Sequence, residues 1–400
     1  MSPTITSTLE AAEALQPRTI ALRRRIHRHP ELGLDLPETR KAVLEELADL
    51  DLELALSERT SGIVATLRGA RPGRSILLRG DMDALPMPED TGLEFASEID
   101  GRMHACGHDT HVAMLASAAR LLAERRDQLA GSVRFFFQPG EEGHFGARVM
   151  LEEGLLETDG LPDAAFAIHV YPNSAPGVVN CKPGPLLAAA DSFVITVEGR
   201  GGHASMPHDA LDPVPIAAEI VGAFQTLVTR TQSVFDPVVL TVGRITAGTT
   251  HNVIPETAEP EGTLRTFDPA VRRTMQADLQ RVAEHVAQAH GATARVRIDA
   301  GYPPTINDAG FAGFVAETAR AAFGDAGFHE LEHPLMGAED FSYLLERVPG
   351  AMAFLGAAPA GVAPTAACPC HSTQMQVDET VLARGVALHA RIAEAFLSGH

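Results

Sequence analysis

The order of patterns along the chain predicts an α/β protein whose mostly parallel central sheet has helices on both faces, interrupted by a smaller α+β unit. Three observations carry this. Short apolar runs alternate with helical patterns up to residue 185 and again from residue 299, as in parallel-sheet proteins. Several of those runs end in polar residues, at the edge where open α/β sheets do their chemistry. Between residues 186 and 298 the texture becomes strand, helix, strand, strand, helix, strand with alternating burial, the split βαβ pattern of a two-layer sandwich. One domain would then comprise residues 1–185 and 299–400, and residues 186–298 would be an insertion. A chain of 400 residues also exceeds what one ordinary core fills.

The elements follow in order. Residues 20–27 read as helical, with Ile20, Leu22 and Ile26 among arginines and Pro30 as terminator. Residues 37–50 form a second helix, with Pro37 at its start. Strands are expected at 62–67 and 75–79, the latter running into Gly80-Asp81-Met82-Asp83. A helix over 110–126 is apolar at Val112, Leu115, Ala119 and Leu122. The strand at 133–137 ends in Gln138-Pro139-Gly140-Glu141-Glu142-Gly143, and the strand at 164–168 delivers His169. In the insertion, strands are expected at 193–198, 238–245, 262–266 and 294–298, and helices at 213–229 and 270–290. The remainder supplies a helix at 308–323, a helix opened by 337–341, a buried strand at 351–355 and a closing amphipathic helix at 378–397.

Bulk properties exclude several classes. With 32 basic against 52 acidic residues the net charge is -20, which argues against nucleic acid or an anionic membrane as partner. No stretch reaches the length of a membrane span. Residues 1–20 lack a basic start followed by an apolar run, so a cytoplasmic location is expected. Cys106, Cys181, Cys368 and Cys370 are then expected to be reduced. Cys368-Pro369-Cys370-His371 has one residue between its cysteines where covalent haem needs two, so haem is rejected.

The densest chemistry is Met103-His104-Ala105-Cys106-Gly107-His108-Asp109-Thr110-His111. Cys106 and His108 reach one ion only from a bent backbone, and Gly107 supplies that freedom. Together with Glu142, His169 and His371, all at strand ends or in loops, they form a candidate ligand set. Five ligands exceed what one tetrahedral ion takes, so two ions sharing a bridging carboxylate fit better. Glu141 beside Glu142 suits a division of labour, one carboxylate on metal and the other moving a proton.

Arg79-Gly80-Asp81-Met82-Asp83-Ala84-Leu85-Pro86, His104 to Asp109, Phe137-Gln138-Pro139-Gly140-Glu141-Glu142 and Gly337-Ala338-Glu339-Asp340-Phe341 resemble the aminoacylase and carboxypeptidase family of di-metal peptidases. The match is to its hippurate hydrolase and indoleacetyl-amino-acid hydrolase branch, and it runs from Leu22 to the final helix. The resemblance implies a di-zinc peptidase-like catalytic domain with an inserted ferredoxin-like dimerisation domain. It implies two divalent metal ions per subunit, zinc or manganese, with cobalt or nickel as alternatives, held by Cys106, His108, Glu142, His169 and His371, with Cys106 bridging. Glu141 would be the general base. Asp81 stands where other branches have a ligating histidine and is not counted, while Asp83 and Asp109 would orient histidines. In the insertion, the resemblance implies that His203 polarises the scissile carbonyl from a partner subunit, Asn252 helps hold that oxygen and Arg265 clasps the substrate carboxylate. The expected reaction is metal-dependent hydrolysis of a small N-acyl-amino acid by a homodimer or homotetramer. Alternatives are a dipeptidase or carboxypeptidase, and a metal-binding homologue without catalysis. Cys368 and Cys370 lie outside the family pattern and are expected to be inert; the acyl group and the amino acid are not readable.

Overall fold

The computed structural model describes residues 7–157 and 159–399. The chain divides into two compact units, one built from Met1–Leu186, Ile306–His333 and Asp340–His400, the other from Leu187–Thr305 and Pro334–Glu339. The second unit thus holds more chain than residues 186–298. The return segment joins it because Ala188 donates to the Gly337 carbonyl at 2.8 Å and Leu187 bridges Leu335.

The first unit opens with α1 (Thr8–Arg28), longer than its apolar spacing suggests. Ser7 and Glu10 close a reciprocal capping box, and the helix runs through Pro17. Then come α2 (Pro37–Leu47), β1 (Glu53–Leu56), β2 (Ile63–Arg68) and β3 (Arg71–Asp81). They are followed by α3 (His108–Glu124), β4 (Ala130–Gln138), α4 (Gly146–Glu152), β5 (Ala164–Tyr171), β6 (Val179–Cys181) and β7 (Gly184–Leu187). The eight-stranded sheet has the order β1-β2-β4-β3-β5-β16-β6-β15, with β15 (Phe328–Glu330) and β16 (Gly350–Gly356) contributed from beyond the insertion. Its four central strands are mutually parallel, through the pairs β4–β3, β3–β5 and β5–β16, and antiparallel strands flank them. Their C-terminal ends therefore lie along one edge, as the sequence predicts. The central strands are buried along most of their length, with Phe135, Phe136, Phe137 and Phe166 among the fully buried side chains, and α1, α3 and α9 (Leu382–Ser398) pack on one another and join the same core. The unit is completed by α7 (Ala309–Phe323) and the one-turn α8 (Ser342–Leu345). Residues 337–341 do not open a long helix.

In the second unit, β8 (Asp191–Glu198), α5 (Pro213–Thr231), β10 (Val238–Ala247), β12 (Thr257–Thr266), α6 (Pro269–Ala289) and β13 (Thr293–Asp299) reproduce the expected order. Their antiparallel order β10-β12-β8-β13 is ferredoxin-like. A separate ribbon pairs β9 (Gly202–His203) with β11 (Val253–Ile254), and β14 (Thr305–Asn307) leads the chain out. Among the described residues no helix is long and apolar enough to cross a membrane.

Candidate active site

The C-terminal edge of the central strands and the start of α3 assemble the cluster. Cys106 lies in the turn before α3, Gly107 takes φ +88, and His108 begins the helix. A Cβ on Gly107 would sit 2.4 Å from Val170 Cγ2, so both the left-handed backbone and the close approach of β5 require glycine there. Candidate ligand atoms of Cys106, His108 and His169 lie within 4.8 Å of one another, as do those of Cys106, Glu142 and His371, and those of His108, Glu141 and Glu142. All five expected ligands and the neighbouring Glu141 therefore meet in one place.

The hydrogen bonds fix which atoms face inward. His108 Nδ1 donates to the Asp83 carbonyl at 2.8 Å, and His169 Nδ1 donates to the Val170 carbonyl at 2.6 Å. Each ring thereby turns Nε2 toward the cluster, the atom that is free of a proton when the ring is neutral. His169 Nε2 is 3.4 Å from Cys106 Sγ, and His371 Nε2 is 3.2 Å from Glu142 Oε1. The Asp83 carboxylate accepts the Glu141 and Glu142 amides at 2.9 Å each, one on each oxygen, so it holds the Glu-Glu turn. Buried His108 Nε2 and Glu142 Oε1 have no hydrogen-bond partner of adequate geometry. Orphaned buried polar atoms are costly, and a cation bound between them would satisfy both. The donor set of thiol, imidazole and carboxylate fits a divalent transition metal.

Electrostatics point the same way. Burial would lower the His108 pKa, but Asp81, Asp83 and Glu142 outweigh it and raise the value to about 10. Burial and then His111 hold His169 well below its ordinary value, so it stays neutral with its lone pair available. Burial raises Glu142, yet its contacts with His371 and His108 keep it below the ordinary carboxylate value. The cluster carries surplus negative charge that attracts a proton to His108; a divalent cation would relieve the same surplus.

Other expected residues are placed differently. Asp109 accepts from Arg23 Nε and His27 Nδ1, both at 2.9 Å, so the histidine it orients is in α1 and is not a candidate ligand. His104 is buried without partners for either ring nitrogen. Asp81 is enclosed: it accepts from Arg79, and its Oδ1 pairs with His111 Nδ1 at 2.5 Å. His111 in α3 also accepts the Val170 amide on Nε2 at 2.9 Å, tying the end of β5 to β3. Its spacing of three from His108 puts the two rings on one helix face, 5.5 Å apart, and that spacing was the available signal. Asp340 accepts from Arg79 Nη2 at 3.0 Å, Gln138 Nε2 at 2.7 Å and the Ala147 amide at 2.9 Å, a buried tie between motifs that stand out in the sequence but whose pairing no local pattern marks.

In the second unit, His203 and Asn252 lie on the β9–β11 ribbon, where His203 pairs with Val253 and the Ala204 amide donates to the Asn252 carbonyl. His203 Nδ1 accepts the Ser205 amide at 3.1 Å, which leaves Nε2 as the proton-bearing atom of the neutral ring. Arg265 lies in β12 opposite Val239.

A doubly connected α/β unit with a buried thiol–imidazole–carboxylate cluster at its strand ends, carrying a ferredoxin-like insertion, defines a metal-dependent hydrolase of the di-metal peptidase class. The chain belongs to peptidase family M20/M25/M40, whose model matches residues 77–395. An N-acetyl-L-cysteine deacetylase of Bacillus subtilis (strain 168) is 40% identical over 346 residues, 86% of this chain and 81% of that protein. Thermostable carboxypeptidase 1 of Saccharolobus solfataricus is 38% identical over 381 residues, 94% of this chain and 95% of that protein. A solved dinuclear metal-binding peptidase of the M20 family from Bacillus subtilis matches with a TM-score of 0.83 at 34% identity, covering 97% of this chain and 100% of that one. The family resemblance read from the motifs is borne out.

Proposed function

We propose that the chain hydrolyses the amide bond of N-acyl-L-amino acids, giving a carboxylic acid and a free amino acid, at a site for two divalent cations. The observation that carries this is the convergence of Cys106, His108, Glu142, His169 and His371, with His108 Nε2 buried without a hydrogen-bond partner and Glu141 on the same turn as Glu142. The deacetylase relative and the dinuclear metal-binding structure support it. Bound there, the cations would acidify a water molecule and polarise the acyl carbonyl.

The chain's own groups then divide the work. Glu141, fixed through its amide by Asp83, takes the proton from water and returns it to the leaving nitrogen. His203, with its proton on Nε2, donates to the acyl oxygen, and Asn252 assists it. Arg265 binds the substrate carboxylate with its planar fork. We assign His203 to the site of a partner subunit in a homodimer or homotetramer. The thiol favours zinc, while imidazole and carboxylate also suit manganese, cobalt or nickel. Four free thiols support a cytoplasmic location.

The carboxypeptidase relative favours a second reading in which the acyl part is a peptide, because the scissile bond is again an amide to an amino acid bearing a free carboxylate. Hippurate, N-acetyl-amino acids and small peptides, each with a free and an amidated carboxyl, separate the two readings when assayed with zinc and with manganese. Turnover confined to free-carboxylate N-acyl-amino acids is expected. Glu141→Gln should keep its metal content and lose about 10²- to 10⁴-fold in kcat; a loss of only a few-fold would remove Glu141 from the proton path.

A further inference from the structure

All four cysteines are free thiols, and two of them come together. Cys181 is buried in β6, with its Sγ 3.5 Å from the Met352 carbonyl, away from the cluster. Cys370 is half-buried, and its Sγ lies 3.9 Å from the carbonyl oxygen of Cys106. One residue on, the His371 amide donates to the Ala105 carbonyl at 2.7 Å, so the 370–371 backbone runs directly beside the Cys106 turn. Successive side chains of an extended strand point to opposite sides. Here His371 adopts φ +68, a left-handed conformation uncommon for a residue with a Cβ. That turn lets His371 face Glu142 while Cys370 faces Cys106.

We propose that Cys106 and Cys370 form an oxidative modification site, in which a hydroperoxide converts the two thiols to a disulfide and removes the Cys106 sulfur from the metal-holding set. This rests on reading Cys106 as a ligand. The half-buried Cys370 sulfur attacks the peroxide, breaking the O–O bond to give a sulfenic acid and one water. The Cys106 sulfur then attacks the sulfenic sulfur, forming the S–S bond and expelling a second water. Two thiols and one hydrogen peroxide become one disulfide and two waters; the sulfurs lose the two electrons that the peroxide gains. A disulfide sulfur is no thiolate ligand, so oxidation and metal loading exclude each other. Metal on Cys106 protects the pair, and the metal-free enzyme is the form that is trapped.

The full chain, stripped with a chelator or loaded with zinc, is treated with hydrogen peroxide and then assayed three ways: thiol titre, non-reducing peptide mass mapping and metal content after repeat loading. In the stripped protein the titre should fall from four thiols to two, with a linked peptide joining Cys106 to Cys370. Metal uptake should be lost and then restored by dithiothreitol, while zinc-loaded protein resists. The link should persist in Cys368→Ser and vanish in Cys370→Ser, whose turnover without oxidant equals wild type. A Cys368–Cys370 link, no intramolecular link, or a Cys106–Cys370 link with undiminished metal uptake would each overturn the proposal. Failure of the ligand reading shows separately, as untreated wild type that takes up no metal.

Discussion

Asp83 shows how one side chain can set the geometry of several others. Its two carboxylate oxygens hold the Glu141 and Glu142 amides, and its carbonyl holds His108 Nδ1. An asparagine keeps the size but can accept on only one side, and its amide N–H would confront the N–H of Glu141 or Glu142. Such a buried mismatch costs about 1–3 kcal/mol, and loss of an outer orienting group weakens metal binding by roughly 10–100-fold. Asp83→Asn should therefore fold, bind metal about 10–100-fold more weakly in competition with a fluorescent chelator, and lose kcat as Glu141 shifts. Unchanged affinity would mean that the turn holds itself. The residue types of this site were legible because strand ends and turns concentrated them: Glu141, Glu142 and His169 follow predicted strands, and Cys106 and His108 flank the Gly107 turn. What Asp83, Asp109 and His111 touch was not legible, because those partners are 25 to 86 residues away in sequence.

At the scale of elements, α1 is fastened to α3 by a buried charge group. His27 bonds Asp109 through Nδ1 and Glu89 through Nε2 at 3.2 Å, and Arg23 pairs with the same Asp109 oxygen at 2.9 Å. Burial alone would lower the His27 pKa, but Asp109 and Glu89 overcome it and raise the value to about 9 from 6.5. With the folded value above the unfolded one, the stabilisation is fully present below pH 6.5 and is lost as pH rises through 9. Its ceiling is on the order of 3 kcal/mol. Melting temperatures measured from pH 6 to 10 should fall more steeply for wild type than for His27→Gln, which is less stable at pH 6 and converges with it toward pH 10. Parallel curves would place the pH dependence elsewhere; His108, raised in the same sense in the metal-free protein, is the alternative source. The sequence predicted only the last two turns of α1, since its early turns bury Thr8, Ala12 and Thr19, too small and polar to read as an apolar stripe. The strong patterns of α5, α6, β8, β10 and β13 were readable to within two residues at each end, because each packs one clean apolar face into a single core, whereas β12 begins at Thr257, five residues before its expected start.

For the whole molecule, the question is whose His203 serves which Glu141. The cluster belongs to the first unit and the β9–β11 ribbon to the second, and the proposed assignment of His203 to a partner subunit would make each site a shared one. Two inactive variants can test this without any structure of the assembly. In a heterodimer of Glu141→Gln and His203→Ala subunits, the site built on the His203→Ala subunit has its own Glu141 and would receive His203 from its neighbour. The other site lacks both. If each subunit used its own His203, neither site would be complete. Random reassociation of equal amounts of the two makes half of the dimers mixed, each with one working site of two. Subunit exchange should then restore about a quarter of wild-type turnover from two dead proteins, in a closed two-fold assembly. Activity that stays at the level of the separate variants, while sedimentation or native mass spectrometry shows the subunits exchanged, would assign His203 to its own subunit's site. A restored quarter would make dilution below the dimer dissociation constant an off switch, because a monomer would retain the metal cluster and Glu141 yet lack the donor for the acyl oxygen.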